Sequence, residues 1–198
     1  AAYAANAAKS SSQGLNSAME KLSTGSRINY AKDDAAGQAI STRLSAEIQG
    51  LTMASRNAAD AQSMIDTADG ALQETQNVLL RMRELAVQSA NGTLTDADRD
   101  HTDAEFQQLE AELTRISDNT TFAGTELLDG TVSSLSFQIG EGANQTISVS
   151  IADMDATGLS LNTNDLQDAA NSQTAITAID AAIDTVATQR GTLGAVSN

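Results

Sequence analysis

The chain has 198 residues, enough for one medium domain, and a net charge of −15 although only 19% of its residues are charged. That acidity argues against nucleic acid and against membrane as partners, since anionic surfaces require clustered lysine and arginine, and no stretch approaches the ~20 apolar residues that span a bilayer. Cysteine and proline are absent and aromatics make up 3%, which excludes a disulfide framework and favours long helices packed closely through small side chains.

In chain order, residues 9–23 place Leu15, Ala18, Met19 and Leu22 at helical spacing, with a stop near Gly25. The start, AAYAANAAKSSSQG, lacks the basic region and apolar core of a signal peptide. Asp33 and Asp34 are suited to cap a helix N-terminus, and the small side chains of Ala35, Ala36 and Gly37 allow another backbone to approach. The next segment, residues 44–90, carries a heptad seam. Leu44, Leu51, Ala58, Ile65, Leu72, Leu79 and Ala86 form one column; Glu47, Ala54, Ala61, Ala68, Thr75, Met82 and Ser89 form the second. A third column, Met64, Ala71, Val78 and Leu85, widens the stripe beyond a simple dimer seam, so the helix should pack against two or three neighbours. Gly50 and Gly70 lie inside it at a cost of about 1 kcal/mol each. Asn91 and Gly92 are expected as left-handed C-terminal caps. A helix over 44–90 would be ~70 Å long.

Thr95, Asp96 and Asp98 should open a second helix over 95–118, with the ridge Phe106, Leu109, Leu113 and Ile116, folding back antiparallel after a short loop. A loop rich in turn signals follows. Between 132 and 151 the period changes to two: Leu135, Phe137 and Ile139, then Ile147, Val149 and Ile151, flank GEGANQT, as in a β-hairpin with one buried face. Residues 152–170 look irregular, with a short extended piece at Leu159 and Leu161. The last helix, 172–190, aligns Ile176, Ile179, Ile183, Val186 and Leu193, with Arg190 at an outward or interhelical place. The pattern stops in mid-course, which suggests an incomplete C-terminal helix. The fold expected is mainly α: an elongated helical-bundle rod over 34–198 with a small β-hairpin region, preceded by a helical segment and loop over 1–33.

Chemistry is hard to place on this chain. His101 could share a helix face with Asp98 and Glu105 as a weak divalent-metal site, but an exposed histidine on a solvated helix is the simpler reading. There is no zinc-protease motif, no phosphate-binding glycine loop and no cysteine, and one histidine leaves little room for a nucleophile–base pair. Neither an enzyme nor a cofactor is expected.

Three stretches, LSTGSRINYAKDDAAGQAI, GLTMASRNAADAQSMIDTADGALQE and LLRMRELAVQSANGT, together closely resemble the N-terminal region of bacterial flagellins, over about residues 9–130. LSFQIGEGANQTISVSI is similar to the hairpin that follows in that family, and AITAIDAAIDTVATQRGTLGAV to the start of its returning C-terminal helix. About twenty residues separate the two, so the resemblance implies a member without the large outer domains of many flagellins. The resemblance implies a structural subunit of the flagellar filament, secreted through the flagellar type III export machinery and polymerising with other flagellin subunits, its first segment belonging to the inner-tube region. It also implies a second partner, the flagellin-sensing Toll-like receptor of animals. By position, Arg81 and Leu85 would be central to that contact, Glu105 supporting, with Leu80, Glu84 and Gln88 around them; Leu80 stands where receptor-activating members often carry glutamine. Asp33, Asp34, Ala35, Ala36, Leu79 and Met82 would serve self-assembly and packing. The alternative is a hook–filament junction protein, or a secreted helical binding module that does not propagate a filament.

Overall fold

The computed structural model describes residues 2–198. Four helices carry most of the chain: α1 (Ala2–Thr24), α2 (Ala35–Ser89), α3 (Asp96–Asn119) and α4 (Ala169–Ser197). Two small antiparallel hairpins lie between α3 and α4: β1 (Thr121–Phe122) with β2 (Thr125–Glu126), and β3 (Leu135–Gln138) with β4 (Thr146–Val149). The residues form two compact units, one ending at Met53 and one running Ala54–Asn198. The division falls inside α2.

In the first unit, α2 begins where its cap is, not where its apolar seam begins. The Asp34 carboxylate accepts from the Gly37 backbone N–H at 2.8 Å, and the Gln38 N–H donates to the Asp34 carbonyl to start the helical ladder. Asp33 caps a different feature: its carboxylate faces the N–H groups of Asn29 and Tyr30 in the turn before the helix. Ile28 and the Asp34 carboxylate, both side chains, take up the space that Gly37 leaves open. None of the described residues up to Met53 is buried. Lys9, Lys21 and Lys32, the three lysines of the chain, all lie in this unit.

In the second unit the three-column stripe of α2 becomes the core. Met64, Ile65, Ala68, Leu72, Thr75, Leu79, Met82, Leu85, Ala86 and Ser89 are all buried. Fully burying one such leucine, isoleucine or methionine stabilises by about 1.5–3 kcal/mol, so the stripe dictates where the neighbouring helices must lie. Two ion pairs show one of them. Arg83 on α2 meets Asp180 on α4 at 2.6 Å, while Arg190 meets Asp69 at 2.8 Å and Gln76 at 2.8 Å. Higher numbers on one helix face lower numbers on the other, so α4 runs antiparallel to α2. From α4, Ala175, Ile179, Ala182, Val186 and Leu193 are buried. The expected Ile176 and Ile183 lie at the edge of the core, partly buried. Arg190 is interhelical.

The α2–α3 turn closes on a side chain rather than on the expected left-handed caps. Asn91 and Gly92 do not adopt left-handed conformations; the positive-φ residues among those described are Gly25, Ala123, Gly124, Gly130, Asn144 and Ser160. Instead the buried Arg99 guanidinium reaches back from α3 and donates to the carbonyls of Ser89 and Asn91, each at 3.0 Å. It satisfies the helix end that a left-handed glycine would otherwise satisfy. α3 itself starts as expected, with Thr95 and Asp98 forming a reciprocal capping box. Phe106 and Leu113 from its ridge are completely buried; Leu109 and Ile116 are partly so.

β3 and β4 pair as the alternation predicts, Leu135 opposite Val149 and Phe137 opposite Ile147. The β1–β2 hairpin stands where the turn signals alone predict a loop. Its two-residue turn, Ala123 and Gly124, has positive φ at both positions, which matches the right-handed twist of the flanking strands. Residues 127–132 then run beside 151–154, joined by the Ile151 N–H to Val132 carbonyl (3.0 Å) and the Met154 N–H to Leu128 carbonyl (2.8 Å). Leu159 and Leu161 are buried as apolar residues should be, but they are not extended: their N–H groups bond back to the Asp155 and Ala156 carbonyls in a tight turn. That turn depends on Gly158. A Cβ added there would sit 2.6 Å from the Asp153 carbonyl oxygen, a backbone atom that cannot swing away. Gly158→Ala is expected to lower unfolding stability by about 1–3 kcal/mol, read as a reduced midpoint in chemical denaturation; an unchanged midpoint would mean that the turn relaxes freely.

Candidate functional site

In the first unit, α1 carries Leu15, Met19 and Leu22 on one face, each at least 65% exposed. The first part of α2 carries Ile40, Leu44, Ile48 and Leu51, three or four residues apart and all about half exposed or more. Such rows are ordinarily buried against a partner. The loop between them is held by polar contacts instead of a core. Thr24 Oγ1 lies 3.0 Å from the Asn29 side-chain oxygen, and the Tyr30 hydroxyl donates to Glu20 at 2.7 Å. That hydrogen bond to a carboxylate raises the Tyr30 pKa, aided by the same negative charge. The Lys32 ammonium stands 4.7 Å from the Tyr30 ring centre. Ala35 and Ala36 are exposed at the start of α2; Asp33 and Asp34 are committed to the turn and the cap already described.

The second unit brings together the polar residues singled out on α2 and α3. Arg81 donates from Nε and Nη2 to one oxygen of Glu105, at 2.9 and 2.8 Å, and from Nη1 to Glu84 at 2.9 Å. All three are exposed. The hydrogen bond to Glu105, followed by that to Glu84, raises the Arg81 pKa further above its ordinary value. One face of the guanidinium is thereby oriented by two carboxylates on different helices. Leu80, Arg83, Glu84, Val87 and Gln88 line a shallow open cleft of about 560 Å³ beside this cluster. Arg83 is fixed in turn by Asp180, whose carboxyl it holds below the usual range through their hydrogen bond.

One of the apolar expectations requires correction. Leu85, placed by resemblance as an exposed partner of Arg81, is 2% exposed; Leu79 and Met82, expected in packing, are completely buried. All three point into the intramolecular core because they belong to the same wide stripe as Leu72 and Ile65. They are packing residues within this unit and present no surface to another molecule. Leu80 and Val87 are the exposed large apolar residues of the adjoining cleft, which Arg83 rather than Arg81 lines. Their seven-residue spacing, with Glu84 between them, marks a column outside the core stripe and was the available signal. His101 is exposed on α3. Among the described residues no group of three or more histidine, cysteine or carboxylate side chains is arranged to hold a metal, and no helix is long and apolar enough to cross a membrane.

Residues 1–133 match the family model of the bacterial flagellin N-terminal helical region. The chain is 52% identical to the B-type flagellin of Pseudomonas aeruginosa over 149 residues, covering 75% of this chain and 30% of that protein. It is 46% identical to the flagellin of Halalkalibacterium halodurans over 183 residues, covering 91% and 67%. The chain thus spans between about a third and two thirds of the length of these relatives. Among solved structures, Bacillus cereus flagellin is similar with a TM-score of 0.65 at 37% identity, covering 72% of this chain and 83% of that one. The structure of a putative flagellar hook-associated protein from Vibrio parahaemolyticus shares the fold, at a TM-score of 0.66 and 16% identity over 84% of this chain and 88% of that one.

Proposed function

The chain belongs to the bacterial flagellin family, and on that premise we propose that it is a structural subunit of the flagellar filament, secreted through the flagellar export machinery and polymerising outside the cell to support motility. The observation that carries this reading is the pair of uncovered apolar rows in the first unit, Leu15–Met19–Leu22 and Ile40–Leu44–Ile48–Leu51. A unit in which no described residue is buried leaves its apolar rows open to cover by other copies. The role is architectural and requires no catalytic group or cofactor.

Electron microscopy of the natural full-length protein mixed with short filament seeds tests the reading. The expected result is long filaments extended from the seeds. Seeds that are capped and stop growing would favour the hook–filament junction alternative.

As a second role, the Arg81–Glu84–Glu105 cluster is proposed as a contact for the flagellin-sensing Toll-like receptor, with Gln88 at its edge. Leu80 and Val87 supply the apolar contact in place of the buried Leu85. An arginine held in one geometry by two carboxylates loses little freedom on binding, and arginine beside exposed apolar atoms is typical of residues that dominate interfaces. Arg81→Ala is expected to weaken receptor binding by about tenfold or more while the thermal unfolding midpoint stays where it was, because the ion pairs lost are solvent-exposed. Titration calorimetry against the receptor ectodomain would give the answer; undiminished affinity removes Arg81 from the site.

A further inference from the structure

The five methionines divide sharply. Met64, Met82 and Met154 are at most 1% exposed, whereas Met19 and Met53 are 65% and 52% exposed. A thioether in the core is shielded from oxidants; one on the surface is open to them. The two exposed methionines differ in where they stand. Met19 lies on the apolar face of α1, one turn from Leu15 and three residues from Leu22. Met53 follows Ile40, Leu44, Ile48 and Leu51 in sequence, but at 100° per residue it falls on the opposite side of α2 from that row.

We propose that Met19 is a modification site: oxidation of its thioether by a peroxide or hypohalous acid stops the subunit from joining a filament, and Met53 oxidation does not. The inference rests on the filament reading above. The chemistry is a two-electron transfer. One oxygen atom passes from hydrogen peroxide to Sγ, forming the sulfoxide, and the peroxide is reduced to water. The product carries a strong hydrogen-bond acceptor in the middle of an apolar row. Association would bury that oxygen among Leu15, Leu22 and their partners, apolar side chains that offer it no donor, while the helix N–H groups are already bonded. Sulfoxides are reversible through methionine sulfoxide reductases, so the block is reversible as well. Once assembled, the same side chain is covered, which makes the free subunit the vulnerable form.

The test treats the natural full-length protein with mild hydrogen peroxide, locates the oxidised methionines by peptide mass spectrometry, and follows elongation from untreated seeds by light scattering. Three proteins are compared: the wild type, Met19→Leu and Met53→Leu. The expected result is at least tenfold slower elongation for the oxidised wild type and for oxidised Met53→Leu, unchanged elongation for Met19→Leu at the same dose, and recovery of the wild type after treatment with reductases A and B. Oxidised wild type elongating at its untreated rate would overturn the proposal. So would Met19→Leu losing elongation as fully as the wild type, because the damage would then lie elsewhere. Failure of the untreated wild type to elongate sinks the filament reading itself, and the inference with it.

Discussion

A single glutamate on either apolar row of the first unit, Leu15→Glu or Leu44→Glu, abolishes seeded filament growth and leaves the fold intact. The two halves of that outcome have separate causes. Leu15 is 65% exposed and Leu44 47% exposed, so neither contributes much to the stability of the free subunit, and glutamate is itself a good helix former. In the filament reading both are covered by neighbouring copies. Burying an unpaired carboxylate costs several kcal/mol, so subunit addition should slow by on the order of a hundredfold or more. Circular dichroism and the thermal midpoint of the free protein should be unchanged, while light scattering and electron microscopy show no growth. Growth at the wild-type rate would show that these rows are solvated in the filament, and would remove the observation on which the functional reading depends.

The second large effect lies in the fold. Arg99→Met should reduce unfolding stability by about 3 kcal/mol, from two buried or partly buried carbonyls each losing its charged donor. The methionine keeps most of the apolar stem, so lost packing is a minor part. Ser89 matters most here, because it is completely buried and water cannot replace the guanidinium. Its own hydroxyl is also engaged, donating to the Leu166 carbonyl at 2.8 Å, so the damage should spread to the segment ahead of α4. Hydrogen exchange would show this as faster exchange at the end of α2 and around Leu166, in addition to a lower denaturation midpoint. A midpoint within experimental error of the wild type would mean that the α2–α3 turn finds other donors.

Much of this architecture was legible in the residues. The three-column stripe of α2 announced a helix packed against more than one neighbour, because period and width are carried by the chain itself. The capping signals at Asp34, and at Thr95 with Asp98, are equally local, and so is the alternation that gives β3 and β4. What escaped the reading is non-local. Arg99 satisfying Ser89 and Asn91 cannot be foreseen without knowing that α3 turns back at that place; the Asn-Gly pair looked sufficient by itself. The turn at Leu159 and Leu161 is set by hydrogen bonds to Asp155 and Ala156 and by the space at Gly158, against an alternation that mimics a strand. Leu85 was misplaced because resemblance supplied a contact without the burial pattern. The third column, already drawn from the sequence, contained the correct answer.

The placement of Lys9, Lys21 and Lys32 has a practical consequence. A lysine-specific protease can cut this chain only within its first 32 residues, and would release everything after Lys32 as one fragment. Dyes and cross-linkers directed at side-chain amines are confined to the same region. They report on the unit that carries the uncovered apolar rows, and they leave the Arg81 cluster chemically untouched.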